Sequence, residues 1–182
     1  MIVPLSLPFT RLAMRQSCPR VHSDRSAAER LEIAAPGVAA TAVRLLGVLP
    51  AALRRRATEA ALQRAAAAFN RGDFDALFAL FADDVEYVPP PALRPPVRLT
   101  GRQAVIAFWR DVLERYPQST ITNLALVEVE RNRFTRTARL VHRAAPDDEL
   151  SYEIHQTTEL RAGRVVRQVN EKLSGGESGA DV

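Results

Sequence analysis

Apolar residues in the middle of the chain recur three and four positions apart, which is the spacing of one helix face. The alanine-rich residues 58–72 predict a first helix, and Asp73 is placed to cap a second one. The apolar side of that second helix consists of Phe74, Leu77, Phe78 and Phe81. We expect it to end at the aspartates 83–84, and a third helix to cover residues 102–116 until Pro117 stops it.

Beyond the third helix the spacing changes to alternation, which is typical of strands. Four strands are predicted there: residues 120–131, 133–143, 149–160 and 164–173. A shorter strand, residues 85–88, precedes them and ends at the prolines 89–91, because proline has no backbone N–H for a sheet. This order predicts an α+β domain in which three N-terminal helices pack on a strongly curved, mainly antiparallel sheet and enclose a pocket.

The two ends of the chain lack this regularity. Residues 1–53 mix prolines, arginines and scattered apolar residues, so we expect an N-terminal extension that is partly disordered or helical. Neither a signal peptide nor a membrane span is predicted there, because prolines and arginines interrupt the apolar runs. The regular pattern bounds a domain at residues 54–173, and the Gly- and Ser-rich residues 174–182 are expected to form a flexible tail.

Composition narrows the range of partners. The 182 residues are 47% hydrophobic, enough for one core, and the formal net charge of +4 comes from 25 basic and 21 acidic residues. No basic cluster is interleaved with aromatic residues, so we expect no nucleic-acid partner, and no membrane partner either. Cys18 is the single cysteine, which favours a reducing, cytoplasmic setting without disulfides. We predict no cofactor and no metal site, because the histidines form no cluster of ligands.

Alternation also assigns the strand side chains to an inner or an outer face. His142 shares the apolar phase of its strand and is expected to face inward. Tyr152 and Gln156 share the inward phase of the following strand, whose opposite phase, with His155, is wholly polar and faces solvent or a partner subunit. An inward histidine can act as an acid or base near neutral pH, although such residues are more often hydrogen-bonded core residues. Both interpretations of His142 stay open at this point.

Three segments resemble the nuclear transport factor 2-like (ketosteroid isomerase-like) superfamily, most closely its SnoaL-like branch. They are residues 69–88, 101–117 and 159–171. The resemblance implies a cone-shaped domain whose mouth lies near the loop after the first strand, so the prolines 89–91 are expected to rim a pocket. It leaves the activity open, because the superfamily contains isomerases, polyketide cyclases, epoxide hydrolases, dehydratases and members with no known activity.

The same resemblance suggests roles for individual positions. Tyr87 matches the tyrosine that helps to hold the attacking water in limonene-type epoxide hydrolases, and Asn170 matches the position of a catalytic carboxylate there. This match implies that Val166, Gln168 and Asn170 face inward in the last strand, unless a bulge shifts the phase. Pro89 falls where ketosteroid isomerases have their general base, and proline cannot move a proton, so that mechanism is excluded.

Two functional hypotheses follow. In the first, the pocket belongs to an isomerase-, cyclase- or hydrolase-type enzyme for a small, neutral, largely apolar ligand, with His142 as acid/base and Tyr87 as a hydrogen-bond donor in catalysis. The ligand-binding residues expected in the pocket are Trp109, Tyr152, Gln156, Gln168 and Asn170. In the second, the domain is a non-catalytic binding or dimerisation module, with a homodimer formed through the outer sheet face. The mixed charges of that face are Arg139, Glu153, His155 and Glu159.

Overall fold

The computed structural model describes residues 25–93, 98–145 and 147–173. Its α-helices are α1 (Ala27–Ala34), α2 (Pro36–Leu46), α3 (Ala51–Asn70), α4 (Phe74–Leu77) and α5 (Arg102–Arg115). Its strands are β1 (Phe81–Val88), β2 (Leu99–Thr100), β3 (Gln118–Val129), β4 (Arg133–Ala145), β5 (Asp148–Arg161) and β6 (Arg164–Lys172). None of these helices is long and apolar enough to cross a membrane. The predicted tail, residues 174–182, and the first 24 residues of the predicted extension lie outside the described residues.

Within the described residues, six strands form one open, curved sheet in the order β2-β1-β6-β5-β4-β3. Neighbouring strands are antiparallel except β1 and β6, which run parallel. Register irregularities interrupt β3 between Asn123 and Ala125 and again between Leu126 and Glu128, and such bulges bend a strand. The predicted α+β class and the curved, mainly antiparallel sheet are confirmed.

The second predicted helix is too long, and the prediction was wrong beyond Leu77. Helix α4 has a single turn, and strand β1 begins at Phe81, inside the segment predicted to be helical. The Val165 backbone N–H donates to the Leu80 carbonyl oxygen (2.9 Å), and Phe81 pairs with Val165, so pairing with β6 draws this segment into the sheet. Phe78 and Phe81 are both buried and lie edge to face at 4.9 Å, so their burial alone does not distinguish a helix from a strand.

A bulge in β6 determines which of its side chains face the interior. The register between β5 and β6 skips Val166, which is the extra residue of the bulge. Val165 and Asn170 consequently both face the interior although they are five positions apart, and Gln168 faces it with them. Gln168 and Asn170 therefore line the cavity, whereas Val166, at the bulge that the prediction allowed for, does not.

Helix α1 is attached to the turn between α3 and α4 by buried ion pairs. Arg25 contacts Asp73 at 2.6 Å, and Arg71 contacts Glu29 at 2.7 Å. Asp73 also accepts a backbone N–H at the start of α4, as its predicted capping role requires. The helical part of the predicted extension thus packs on the domain, and the predicted boundary after residue 53 lies inside α3.

Helix α2 lies directly on two turns of the sheet. Gly163, in the turn between β5 and β6, has a φ of +80°, and a Cβ there would lie 1.8 Å from the Ala40 carbonyl oxygen. Just after α2, a Cβ on Gly47 would lie 3.0 Å from the Arg131 carbonyl oxygen, in the turn between β3 and β4. Helix α2 therefore covers the end of the sheet where both hairpins turn, and position 163 has room for glycine alone.

Candidate functional site

The helices and the inner face of the sheet surround a cavity of about 220 Å³. Its apolar lining includes Val43, Phe69, Phe81, Ile121, Leu140 and Ile154. Because the first of these belongs to α2, the N-terminal helices complete the wall. Pro90, in the loop after β1, is buried and lines the cavity too, which agrees with the expected place of the prolines.

A chain of hydrogen bonds crosses the polar part of the cavity from β4 to β1. Arg136 Nε–H donates to Gln156 Oε1 (2.7 Å), and Gln156 Nε2–H donates to Asn170 Oδ1 (2.6 Å). Asn170 Nδ2–H then donates to the Val88 carbonyl oxygen (2.7 Å). Because a guanidinium has only donors, Arg136 fixes the orientation of both amides. The register of the sheet assembles this chain, since Gln156 pairs with Arg136 on one side and with Asn170 on the other.

Arg136 is the cation of this cluster, and it is only 6% exposed. Its Nη1 donates to Asn123 Oδ1, and the Asn123 amide nitrogen in turn donates to the Leu62 carbonyl oxygen of α3 (3.0 Å). Burial lowers the pKa of Arg136 to about 10, so the guanidinium stays protonated at neutral pH. Within the described part of the chain, no Asp or Glu forms an ion pair with Arg136.

Tyr87 and Trp109 line the cavity beside the polar cluster. Trp109 Nε1–H donates to the Tyr87 hydroxyl oxygen (3.0 Å), which joins α5 to β1. Burial raises the pKa of Tyr87 above its usual value, and the hydrogen bonds from Trp109 and Asn170 and the charge of Arg136 oppose that rise only in part. At neutral pH the phenol is therefore neutral, so it can form hydrogen bonds but does not supply a negative charge.

Thr158 brings an unpaired hydroxyl to the same cavity. It lies on β5 two residues beyond Gln156 and is 2% exposed. Its Oγ1 has no hydrogen-bond partner among the described residues. Gln168 lies opposite Thr158 on β6 and also lines the cavity. Since buried polar groups are nearly always paired, the Thr158 hydroxyl marks a position where a bound molecule can form a hydrogen bond.

His142 is fully buried in a second, separate network. Its Nδ1 lies 2.8 Å from Ser119 Oγ, and its Nε2 lies 3.0 Å from the Tyr152 hydroxyl. Ser119 donates its own proton to the Tyr116 carbonyl oxygen (2.8 Å), so it accepts from Nδ1–H, and Nε2 accepts from Tyr152. Burial lowers the pKa of His142 to about 4, which agrees with a neutral ring whose nitrogens are both paired. Trp109, which lines the cavity, stacks on this ring with centroids 6.4 Å apart.

Most of the predicted site residues come together. Those that line the cavity are Tyr87, Trp109, Gln156, Gln168 and Asn170. The other two, His142 and Tyr152, bind each other in the second network and are not part of the cavity lining. The catalytic roles expected for His142 and Tyr87 stay predictions.

The sequence prediction omits Arg136 and Thr158. Arg136 lies two positions from both Phe134 and Ala138, so it shares the inward phase of β4, and Thr158 shares the inward phase of Gln156 on β5. Alternation thus contains the signal for both residues. A charged side chain in an inward phase is the informative observation, because arginine is almost never fully buried without a reason.

The outer face of the sheet carries exposed ion pairs around the half-buried His155. Arg139 contacts Glu153 at 2.7 Å, and Arg167 contacts Glu159 at 3.1 Å. Both pairs join neighbouring strands of the same chain, so these charges have partners without a second subunit. The homodimer through this face stays a prediction. Among the described residues, no three His, Cys, Asp or Glu side chains converge as metal ligands.

Comparisons with known proteins agree with this geometry. The SnoaL-like domain family matches residues 62–168. An NTF2-like protein of unknown function from Burkholderia pseudomallei is 20% identical with a TM-score of 0.54, over 61% of this chain and 86% of that one. TerC, co-crystallised with polyporic acid, is 15% identical with a TM-score of 0.53, over 62% and 88% of the two chains. A putative polyketide cyclase from Xanthomonas campestris is 24% identical with a TM-score of 0.50, over 64% and 90%.

No curated protein matches the chain. Sequence identities this low between the chain and solved structures establish the fold alone. The family match, in contrast, runs from α3 into β6 and includes Arg136 and Gln156 of the polar cluster. The chain therefore belongs to the SnoaL-like domain family and has the NTF2-like fold.

Proposed function

We propose that this SnoaL-like domain binds a small, largely apolar organic molecule in its cavity. The observation that carries the proposal is a largely apolar chamber of about 220 Å³ whose sheet wall carries a hydrogen-bonded polar cluster. An apolar cavity of about 150 Å³ accommodates benzene, so this chamber has room for a substituted ring or a branched chain of similar size. Two structures of the same fold support a small organic ligand: TerC with polyporic acid and the putative polyketide cyclase.

In this proposal the ligand is held by apolar packing and oriented by a few hydrogen bonds. Trp109 and Tyr87 offer flat aromatic surfaces, and Thr158 and Gln168 offer polar groups on the neighbouring strands β5 and β6. The network around His142 holds Trp109 from behind through the stacked ring. His142 transfers no proton here, because both ring nitrogens bind protein groups. An acid/base role for His142 is a separate hypothesis, and a His142→Ala protein that turned over a confirmed substrate at the wild-type rate would refute it.

The test is a thermal-shift screen of the full chain against single-ring aromatics, small ketones, alcohols, carboxylic acids and amides. A ligand at 100 times its Kd adds about 2.7 kcal/mol, which raises the unfolding midpoint by roughly 5–10 °C for a chain of this size. Ala66→Phe puts a ring into the cavity from α3 and should abolish the shift, whereas Ala67→Phe on the exposed side of the same helix should preserve it. A shift that survives Ala66→Phe, or no shift with any class, contradicts the proposal.

A further inference from the structure

Arg136 is a buried cation whose protein partners are all neutral. Its acceptors are the amide oxygens of Gln156 and Asn123. Arg25 and Arg71, which are also largely buried, both contact carboxylates, whereas the partly buried Arg54 donates to backbone carbonyl oxygens. Burying an ionised group without an opposite charge is costly, and a chain that keeps such a group in a cavity needs the missing charge from elsewhere.

The unused donors of Arg136 are available to the cavity. A guanidinium has five N–H groups, and the two bonds described above use one on Nε and one on Nη1. Among the described residues, the Arg136 side chain donates only through Nε and Nη1, so Nη2 keeps both of its N–H groups. The unpaired Thr158 Oγ1 lies on the neighbouring strand, two residues from Gln156 and on the same inward face. Arg136 and Thr158 thus both line the cavity, Arg136 with donors that no described residue accepts and Thr158 with an unpaired hydroxyl.

We propose that the ligand of this cavity is an apolar monocarboxylate whose carboxylate group binds Arg136 and accepts a hydrogen bond from Thr158. This deepens the proposed function and rests on it. A carboxylate is planar and has two acceptor oxygens, which suits the two terminal nitrogens of the guanidinium. The charge of Arg136 is matched by a single negative charge, and the apolar part of the lining suits a hydrocarbon body of about one ring.

The surrounding groups leave the guanidinium free for such a ligand. Gln156 occupies a position where a carboxylate would neutralise Arg136 from within, and its neutral amide, which in turn donates to Asn170, supplies only a hydrogen-bond acceptor. Tyr87 is a neutral phenol and does not compete as an anion. The cluster is therefore built to hold a cation in place while leaving its charge uncompensated. The sequence-based expectation of a neutral ligand differs because it did not include Arg136 among the pocket residues.

The experiment is isothermal titration calorimetry of the full chain with matched probes: benzoate, 4-methylbenzoate and hexanoate, each beside its primary amide. The paired molecules have nearly the same size and differ in charge. We expect at least one carboxylate to bind tenfold or more tightly than its amide. Arg136→Gln keeps an amide donor for Gln156 and should remove that preference, Thr158→Val should reduce it severalfold, and Arg139→Gln on the outer face should leave it unchanged.

The outcomes separate the two proposals. Equal binding of carboxylates and amides, or binding of amides alone, overturns the monocarboxylate and leaves the small-molecule cavity standing. No binding of any probe, together with a flat thermal-shift screen, overturns both. If Arg136→Gln does not fold, the wild-type preference and its reduction in Thr158→Val decide the question, and an unchanged preference in Thr158→Val overturns the proposed contact.

Discussion

Lowering the pH from 7.5 to 5.5 should destabilise this protein through His142. The ring is fully buried, both nitrogens are hydrogen-bonded, and burial lowers its pKa from 6.5 to about 4. The unfolded chain therefore takes up the proton first. The stabilisation is present above about pH 6.5 and is lost progressively as the pH falls from 6.5 to about 4.

The size of the effect follows from the two pKa values. Each pH unit between them is worth about 1.4 kcal/mol, so the complete loss is about 3 kcal/mol by pH 4. Between pH 7.5 and 5.5 the free energy of unfolding should fall by about 1.4 kcal/mol. Carboxyl groups in the unfolded chain remain almost fully ionised at pH 5.5, so they contribute little to the loss in this upper part of the range.

Urea unfolding at pH 7.5, 6.5 and 5.5 measures this loss. His142→Gln should be less stable at pH 7.5 and should show a nearly flat profile over the same range. His155→Gln is the matched control, since it removes a histidine from the half-exposed outer face and leaves His142 in place. A wild-type profile as flat as that of His142→Gln, or a variant that loses as much as the wild type, would refute the reasoning. A flat wild-type profile would also mean that the pKa of His142 is not lowered, which would favour His142 as an acid/base group.

Three further predictions concern the cavity and the outer face. Gly163→Ala should destabilise the protein by at least about 1–2 kcal/mol because of the positive φ, and by more because the new Cβ would clash with Ala40 on α2. Gly37→Ala should not destabilise it, because nothing lies within 4 Å of a Cβ there, and thermal unfolding compares the two variants. Tyr87→Phe leaves Trp109 Nε1–H without its acceptor and should cost about 1–3 kcal/mol in urea unfolding, with no cost expected if that hydrogen bond is absent. The homodimer expected from the outer sheet face is checked by sedimentation velocity, where a monomer at high protein concentration contradicts it.

Much of the sheet follows from alternation, because the strands are long enough for a period of two to be unambiguous. The exceptions are places where two patterns fit the same residues. Phe78 and Phe81 satisfy a helical stripe as well as the start of a strand, and the pairing of Phe81 with Val165 on β6 decides between them. Val166 escapes alternation because a bulge depends on the register with a neighbouring strand, which the sequence of one strand does not contain.

The candidate site divides in the same way. The inward phases of Gln156 and Asn170 are readable from the sequence, and so is that of Arg136 once its phase is compared with Phe134 and Ala138. Alternation does not identify the hydrogen-bond partners of these side chains. His142 looks like a catalytic group by residue type, and only its contacts with Ser119, far away in sequence on β3, and with Tyr152 make it a paired core residue.

The polar cluster explains how this domain can maintain a cavity of about 220 Å³. The walls of a cavity tend to relax inward, because atoms that line a cavity lack the van der Waals contacts that packed atoms make. Here Arg136, Gln156, Asn170 and the Val88 carbonyl link four adjacent strands at 2.6–2.7 Å, and each bond needs the strands at their present spacing. Moving the wall inward would break bonds to a buried cation. The cluster therefore helps to maintain the cavity, and the monocarboxylate that we propose would supply the charge that Arg136 lacks within the described residues.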